Sequence, residues 1–211
     1  MNNLEALRHT LKQGMVAQGL DALDGEPLLQ YLSLLHTWNK AYNLTAIREP
    51  QDMVRLHLLD SLAILPFLEG ARILDVGTGP GLPGIPIAIA RPGQSVTLLD
   101  SNGKKVRFLR EVVRVLELHH VEVVHARVED YTPATGFDTI VTRAFSHVDA
   151  MVEKTAHLLN TKGVWLAMKG KVPDNELDAL SQRPGLGFDV LPYTVKEIEG
   201  ARCCIKIKQS D

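Results

Sequence analysis

The chain opens with two stretches in which apolar residues recur at helical spacing. Leu4, Leu7, Leu11 and Met15 form one stripe, and Leu28, Tyr31, Leu32, Leu35 and Trp38 form another at i, i+3, i+4, i+7 and i+10. Gly19 and Gly25 punctuate between them. The pattern stops at Asn39-Lys40-Ala41-Tyr42-Asn43-Leu44-Thr45, which is polar enough to predict a loop, and a third helix is predicted from about Pro50 to Leu65. From Arg72 the rhythm changes. Short apolar runs at 72–76, 95–100, 121–125, 137–142 and 163–169 predict strands, with helices between them at 83–90, 103–118 and 148–159. Strands apolar on both faces, alternating with helices, imply a parallel sheet covered on both sides. The end differs: 190–197 and 202–208, joined across Glu199-Gly200, predict an antiparallel hairpin. The expected fold is therefore α/β: a Rossmann-like, mostly parallel seven-stranded sheet over 67–211, with an N-terminal helical cap over 1–66.

Composition adds bounds to this picture. The 211 residues are 45% hydrophobic and 23% charged, enough for a substantial core. A formal net charge of -2 excludes a molecule that clamps nucleic acid with its whole surface, so an anionic partner must be met by a local patch. No apolar run approaches the roughly 20 residues needed to span a bilayer. The first residues, Met1-Asn2-Asn3-Leu4-Glu5, lack the basic and apolar regions of a secretory signal, which predicts a cytoplasmic protein. The two cysteines, Cys203 and Cys204, are adjacent, so a strand would put one in the core and one at the surface.

The candidate chemistry lies where the first predicted strand ends, at Asp75-Val76-Gly77-Thr78-Gly79-Pro80-Gly81. The second strand ends in another acid, Asp100, 25 residues later. A strand, glycine turn, helix and strand with a terminal acid is the arrangement that holds a nucleoside, the acid accepting from the ribose diol. Leu82 stands where the dinucleotide fingerprint requires its third glycine, which disfavours a dehydrogenase. A loop that need not hold a pyrophosphate fits S-adenosylmethionine (AdoMet) instead. Asp75 is then placed either to hold the ligand's ammonium group or to order the loop. A ligand-free tight turn is the bland alternative, and the two spaced carboxylates argue against it.

The glycine segment, Asp75-Val-Gly-Thr-Gly-Pro-Gly-Leu-Pro-Gly-Ile-Pro, resembles the RsmG (GidB) family of bacterial small-subunit ribosomal RNA methyltransferases. Three further segments carry the same resemblance: Trp38-Asn-Lys-Ala-Tyr-Asn-Leu-Thr-Ala-Ile47, His57-Leu-Leu-Asp-Ser61 and Thr142-Arg-Ala-Phe145. It covers nearly the whole chain. It implies a class I AdoMet-dependent methyltransferase fold and methylation of guanine N7 in the decoding region of 16S rRNA. It also implies cofactor contacts at Gly77, Leu82, Val128, Glu129 and Arg143.

Such a reaction asks little of side-chain chemistry. The methyl group of AdoMet is activated by its sulfonium, and guanine N7 has a lone pair and no proton to remove, so positioning suffices. The chain lacks the Asp/Asn-Pro-Pro-Tyr/Phe motif of amino-methyltransferases, and its cysteines lie in the terminal hairpin, which disfavours adenine N6 and cytosine C5 targets. Arg143 and Lys169 each follow a strand at the edge where open parallel sheets bind ligands, and are the candidates for positioning roles. The bland alternative for each is a solvated strand end, which position and resemblance disfavour for Arg143 and which weighs evenly for Lys169.

For RNA contact, Lys104, Lys105, Arg107, Arg110 and Arg114 place five cations within 11 residues of one predicted helix, although Glu111 and Glu117 offset them. Asn39 and Lys40, with Tyr42 and Asn43, could line a substrate entrance, or could simply end a helix. His57 and Asp60 share a helical face and could form a structural pair, but no third ligand at suitable spacing makes them a metal site. The expected partner is 16S rRNA in the small subunit or an assembly intermediate, met by a monomer without metal. A non-catalytic RNA-binding assembly factor and a small-molecule methyltransferase are the rival readings. The intact glycine loop disfavours the first and the cationic helix the second.

Overall fold

A computed structural model of the chain describes residues 3–210 except 144, 146, 199 and 201. The N-terminal part holds α1 (Asn3–Ala17), α2 (Glu26–Tyr42), α3 (Pro50–Met53) and α4 (Asp60–Leu62), with a π-helical turn, Val54–Leu59, joining the last two. The alternating part follows: β1 (Arg72–Val76), α5 (Gly84–Ala90), β2 (Ser95–Asp100), α6 (Gly103–Val115), β3 (Val121–His125), β4 (Phe137–Thr142), α7 (Val148–Thr155), β5 (Leu159–Lys169), α8 (Asp174–Ser181), β6 (Leu186–Tyr193) and β7 (Arg202–Gln209). The sheet runs β3-β2-β1-β4-β5-β7-β6, parallel except where β7 pairs antiparallel with β5 and β6.

Side-chain alternation along the strands sorts the core into two halves. Ile73, Leu98, Val141, Leu166 and Cys204 face one way, and their neighbours Leu74, Leu99, Ile140, Trp165 and Cys203 face the other. The second face is covered by α7 and α8 through residues such as Met151 and Leu180. The first is covered by α5 and α6 together with the N-terminal helices, whose Leu11, Leu28, Tyr31 and Leu58 lie in the same continuous cluster as Ile73 and Leu98. The cap is thus part of one sheet-covering layer. Tyr31 and Trp38 of α2 meet Phe108 of α6 at ring-centroid distances of 6.4 and 5.5 Å.

Several sequence expectations change here. Helix α2 runs through the segment 39–42 expected to be loop and stops at Asn43, whose φ of 50° turns the chain left-handed. The third helix is shorter than 50–65 and is interrupted by the π turn. Helix α8 lacks a strong apolar stripe and was not expected; strand β6 begins before 190, at Leu186. Both cysteines are buried, because β7 lies inside the sheet with both faces covered. Leu4, expected in the first apolar stripe, is exposed. Glu199 of the expected hairpin turn and Ala144 of the Thr142–Phe145 segment lie outside the described residues.

Candidate cofactor cleft and active site

After β1 the backbone passes through Gly77 and Gly79 with φ of 66° and 62°, a left-handed path that a side chain would strain. Almost every loop amide is then consumed by the protein itself. The Gly77 and Thr78 N–H groups donate to the Leu99 carbonyl at 2.9 and 3.2 Å, and Gly81 and Leu82 donate to the Thr78 carbonyl at 2.9 Å each. Gly79 N–H donates to Asp100 Oδ2 at 2.9 Å. A pyrophosphate would find few free donors here, so the loop fits a nucleoside without phosphate.

Asp75 sits below this loop, fully buried. Its Oδ2 accepts from Thr78 Oγ1 at 2.6 Å and from Gly84 N–H at 2.7 Å. Of its two expected roles, ordering the loop is thus the one seen in its hydrogen bonds; Oδ1 has no partner among the described residues. Burial pushes its carboxyl up to about 7, against the pull of the Thr78 and Gly84 hydrogen bonds. Gly81 and Gly84 serve packing: a Cβ on Gly81 would lie 2.5 Å from Ile85 Cγ1, and one on Gly84 2.2 Å from Leu98 Cδ2. The Leu82 side chain is buried in the cap-side core, which leaves only its backbone for a ligand.

A cleft of about 210 Å³ opens at the C-terminal ends of β1, β2 and β3. Gly77, Asp100, Val128, Glu129 and Phe145 line it, bringing together residues far apart in the chain. Open α/β sheets bind ligands at this edge. Asp100 Oδ1 accepts from Asn102 N–H at 2.8 Å, so each oxygen has one protein donor and room for another. Glu129 pairs with Lys154 at 2.8 Å, and that hydrogen bond holds its carboxyl below the usual range. Apolar walls from Leu99, Val128 and Phe145, with a carboxylate for a diol, fit the adenosine half of AdoMet.

Arg143 follows β4. Its Nη1 donates to the Leu56 carbonyl at 3.0 Å and lies 3.4 Å from Asp60 Oδ2, so the guanidinium bridges to the π turn of the cap. Its positive charge also reaches Asp75, Tyr31 and His57. Arg143 therefore stands between glycine loop and cap, beside the cleft's wall and not on its lining. Lys169, at the end of β5, donates to both Glu176 oxygens at 3.1 and 2.9 Å. It also reaches the Phe145 carbonyl at 3.5 Å, and Glu176 in turn accepts from Val148 N–H at 2.7 Å. Lys169 thus ties the segment after Arg143 to α8.

Asn39 departs from its expected place on an RNA surface. It is buried, and its Oδ1 accepts from Thr45 N–H at 2.9 Å, sealing the turn after α2. Lys40 beside it is exposed, and Trp38 stacks on Tyr42 at 5.3 Å. His57 hydrogen-bonds Thr45 Oγ1 at 2.9 Å instead of pairing with Asp60, and burial with the Arg143 charge lowers it to about 4. On α6, Asn102 caps the helix by accepting from the N–H groups of Lys104 and Lys105 at 3.0 and 3.4 Å. Lys104, Arg107, Arg110 and Arg114 are exposed, and Lys105 leans toward Asp100 at 3.8 Å. Arg114 is paired with Glu111 at 2.8 Å.

Sequence reasoning missed Tyr31, read only as an apolar stripe residue, whose hydroxyl donates to the Pro80 carbonyl at 2.9 Å and pins the glycine loop to the cap. It also missed the partners of Asp60: Tyr193 Oη and Arg202 Nη1, each 3.1 Å from Oδ1. These contacts join positions more than 130 residues apart, beyond the reach of any local pattern.

Comparison with known proteins agrees with this geometry. An O-methyltransferase from Bacillus cereus, solved in complex with SAH, superposes with a TM-score of 0.66 at 18% identity, covering 97% of this chain and 100% of that one. That likeness is one of fold. The ribosomal RNA small subunit methyltransferase G of Legionella pneumophila (strain Corby) is 51% identical over 205 residues, 97% of this chain and 96% of its own. That of Stenotrophomonas maltophilia (strain K279a) is 48% identical over 198 residues, 94% and 93% of the two chains. The GidB family profile, described as rRNA small subunit methyltransferase G, matches residues 24–199. With its loop, cleft and strand-end acid in place, the chain belongs to the GidB family of rRNA small subunit methyltransferases.

Proposed function

We propose that this chain transfers a methyl group from AdoMet to N7 of a guanine in the decoding region of 16S rRNA, within the small subunit or one of its assembly intermediates. The observation that carries the reading is the pairing of an internally satisfied glycine loop with Asp100 at the mouth of an open cleft. That pairing is shaped for a phosphate-free nucleoside. When bound, AdoMet supplies a methyl group already activated by the sulfonium. Asp100 accepts from the ribose diol, and Val128 and Phe145 flank the base. Asp75, Tyr31 and Thr78 keep the loop in register. In this reading Arg143, beside the cleft, meets the approaching target base, holding a phosphate or donating to guanine O6. N7 has no proton to lose, so the chain needs no general base, and its contribution is alignment.

The exposed Lys104, Arg107 and Arg110 on α6, with Lys40 at the end of α2, supply phosphate contacts on the cap side. The test is methyl transfer from labelled AdoMet to small subunits from a strain lacking this gene, with the product base identified by mass spectrometry. N7-methylguanine at one position is the expected result. Another methylated base, or no transfer by protein that binds AdoMet, refutes the assignment.

A further inference from the structure

One buried carboxylate gathers segments from three parts of the chain. Asp60, 2% exposed, begins α4 where the π turn ends. Its Oδ2 faces Arg143 Nη1 at 3.4 Å, while Oδ1 accepts from Tyr193 Oη and lies against Arg202 Nη1, both at 3.1 Å. Arg143 comes from the end of β4, Tyr193 from the end of β6 and Arg202 from the start of β7. The two oxygens are thus divided, one for Arg143 and one for the pair that holds Asp60 itself.

That division matters for Arg143. Both of its contacts use Nη1, to the Leu56 carbonyl and to Asp60, and among the described residues its other N–H groups have no acceptor. A guanidinium anchored along one edge keeps the other edge available and aimed. A backbone carbonyl alone would leave the group free to swing. A buried carboxylate, itself held by a tyrosine and a second arginine, does not move with it. The π turn that carries Leu56 and leads to Asp60 is the sort of helix irregularity found at functional sites.

We propose that Asp60 is a positioning residue for methyl transfer, fixing the Arg143 guanidinium between cap and glycine loop so that its unused edge faces the reacting groups. The inference rests on the reading of Arg143 given under the proposed function. Tyr193 and Arg202 act one step further out, orienting Asp60.

A double-mutant cycle tests it, because a residue acting only through Arg143 loses its effect once Arg143 is altered. Asp60→Asn, Arg143→Lys and the double variant are assayed for kcat/KM of rRNA methylation, each rate normalised to the AdoMet-binding fraction measured by calorimetry. Asp60→Asn is expected to lower kcat/KM at least about tenfold, and the double variant to lie within about twofold of Arg143→Lys. Losses that multiply, or Asp60→Asn activity within about twofold of wild type, overturn the proposal. Should Asp60→Asn fail to fold, Tyr193→Phe carries the same test with every charge retained. A severalfold loss that disappears in the Arg143→Lys background supports it, and an undiminished loss there overturns it. If the wild type methylates a base other than a guanine at N7, the proposed function fails, and the same cycle on that product still decides the role of Asp60.

Discussion

Asp100 carries two tasks on one carboxylate: it fixes the Gly79 and Asn102 amides and offers its remaining lone pairs to a diol. Hydrogen bonds to a charged acceptor contribute about 1.5–3 kcal/mol each. Asp100→Ala should therefore weaken AdoMet binding at least about tenfold by calorimetry, and an unchanged affinity would remove it from the cofactor site. His57 illustrates a residue whose value lies in its protonation. Burial lowers it from 6.5 in the open chain to about 4 in the fold. Its contribution is whole above pH 6.5 and is lost as pH falls toward about 4, because the unfolded chain takes up the proton first; the loss reaches about 3 kcal/mol. Asp75 works oppositely, its carboxyl being raised from 3.8 to about 7, so its share declines as pH rises through that window. The two slopes oppose each other in the wild type, so denaturant unfolding of wild type and His57→Gln across these pH values should separate them. The variant should gain stability relative to wild type as pH falls from 6.5 toward about 4. Asp75 and Asp100 were legible in the chain because each ends an apolar run beside a glycine motif. The roles of Tyr31 and Asp60 were not, since Pro80 lies 49 residues from Tyr31 and Tyr193 lies 133 residues from Asp60, with Arg202 farther still.

At the scale of elements, α6 joins the two halves of the proposed activity. It starts at the Asn102 cap, two residues beyond Asp100, and its exposed face carries Arg107, Arg110 and Arg114. Its inner face packs Val106, Phe108 and Leu109 against the core. Changing all three arginines to Glu should weaken RNA binding sharply and leave AdoMet affinity near wild type. The salt dependence should flatten by about one unit of slope for each phosphate that is no longer neutralised. Arg114, already paired with Glu111, should contribute least of the three. Filter binding over a salt series measures this, and unaltered affinity would take α6 out of the interface. The strands and α6 were readable from periodicity because their burial is regular. Periodicity cuts α2 short because Asn39 looks like a polar loop residue, whereas its amide is spent inside the turn it closes.

For the whole molecule, the boundary expected at residues 66 and 67 divides the sequence but not the core. Leu11, Leu28 and Leu58 share one cluster with Ile73, Leu98 and Phe108. Removing residues 1–66 would strip the cap from the face it shares with α5 and α6 and free the Pro80 carbonyl from Tyr31. The fragment 67–211 is therefore expected not to fold alone, and the full chain to unfold in a single transition by both circular dichroism and Trp fluorescence. Two separated transitions would show that cap and sheet are independent units. The parallel order of the sheet was legible because strands buried on both faces leave continuous apolar runs. The shared core was not, because nothing local in the helical stripes says which surface they will cover.

Cys203 and Cys204 point into opposite cores from one interior strand, Cys203 toward α7 and α8 and Cys204 toward the cap. Burial raises both thiols, Cys204 to about 12, so neither offers a thiolate while the sheet is intact. The pair is consequently a built-in reporter with one channel per face. Alkylation of Cys204 alone would record the cap side lifting from the sheet, alkylation of Cys203 alone the opposite layer parting, and simultaneous modification the whole fold coming open.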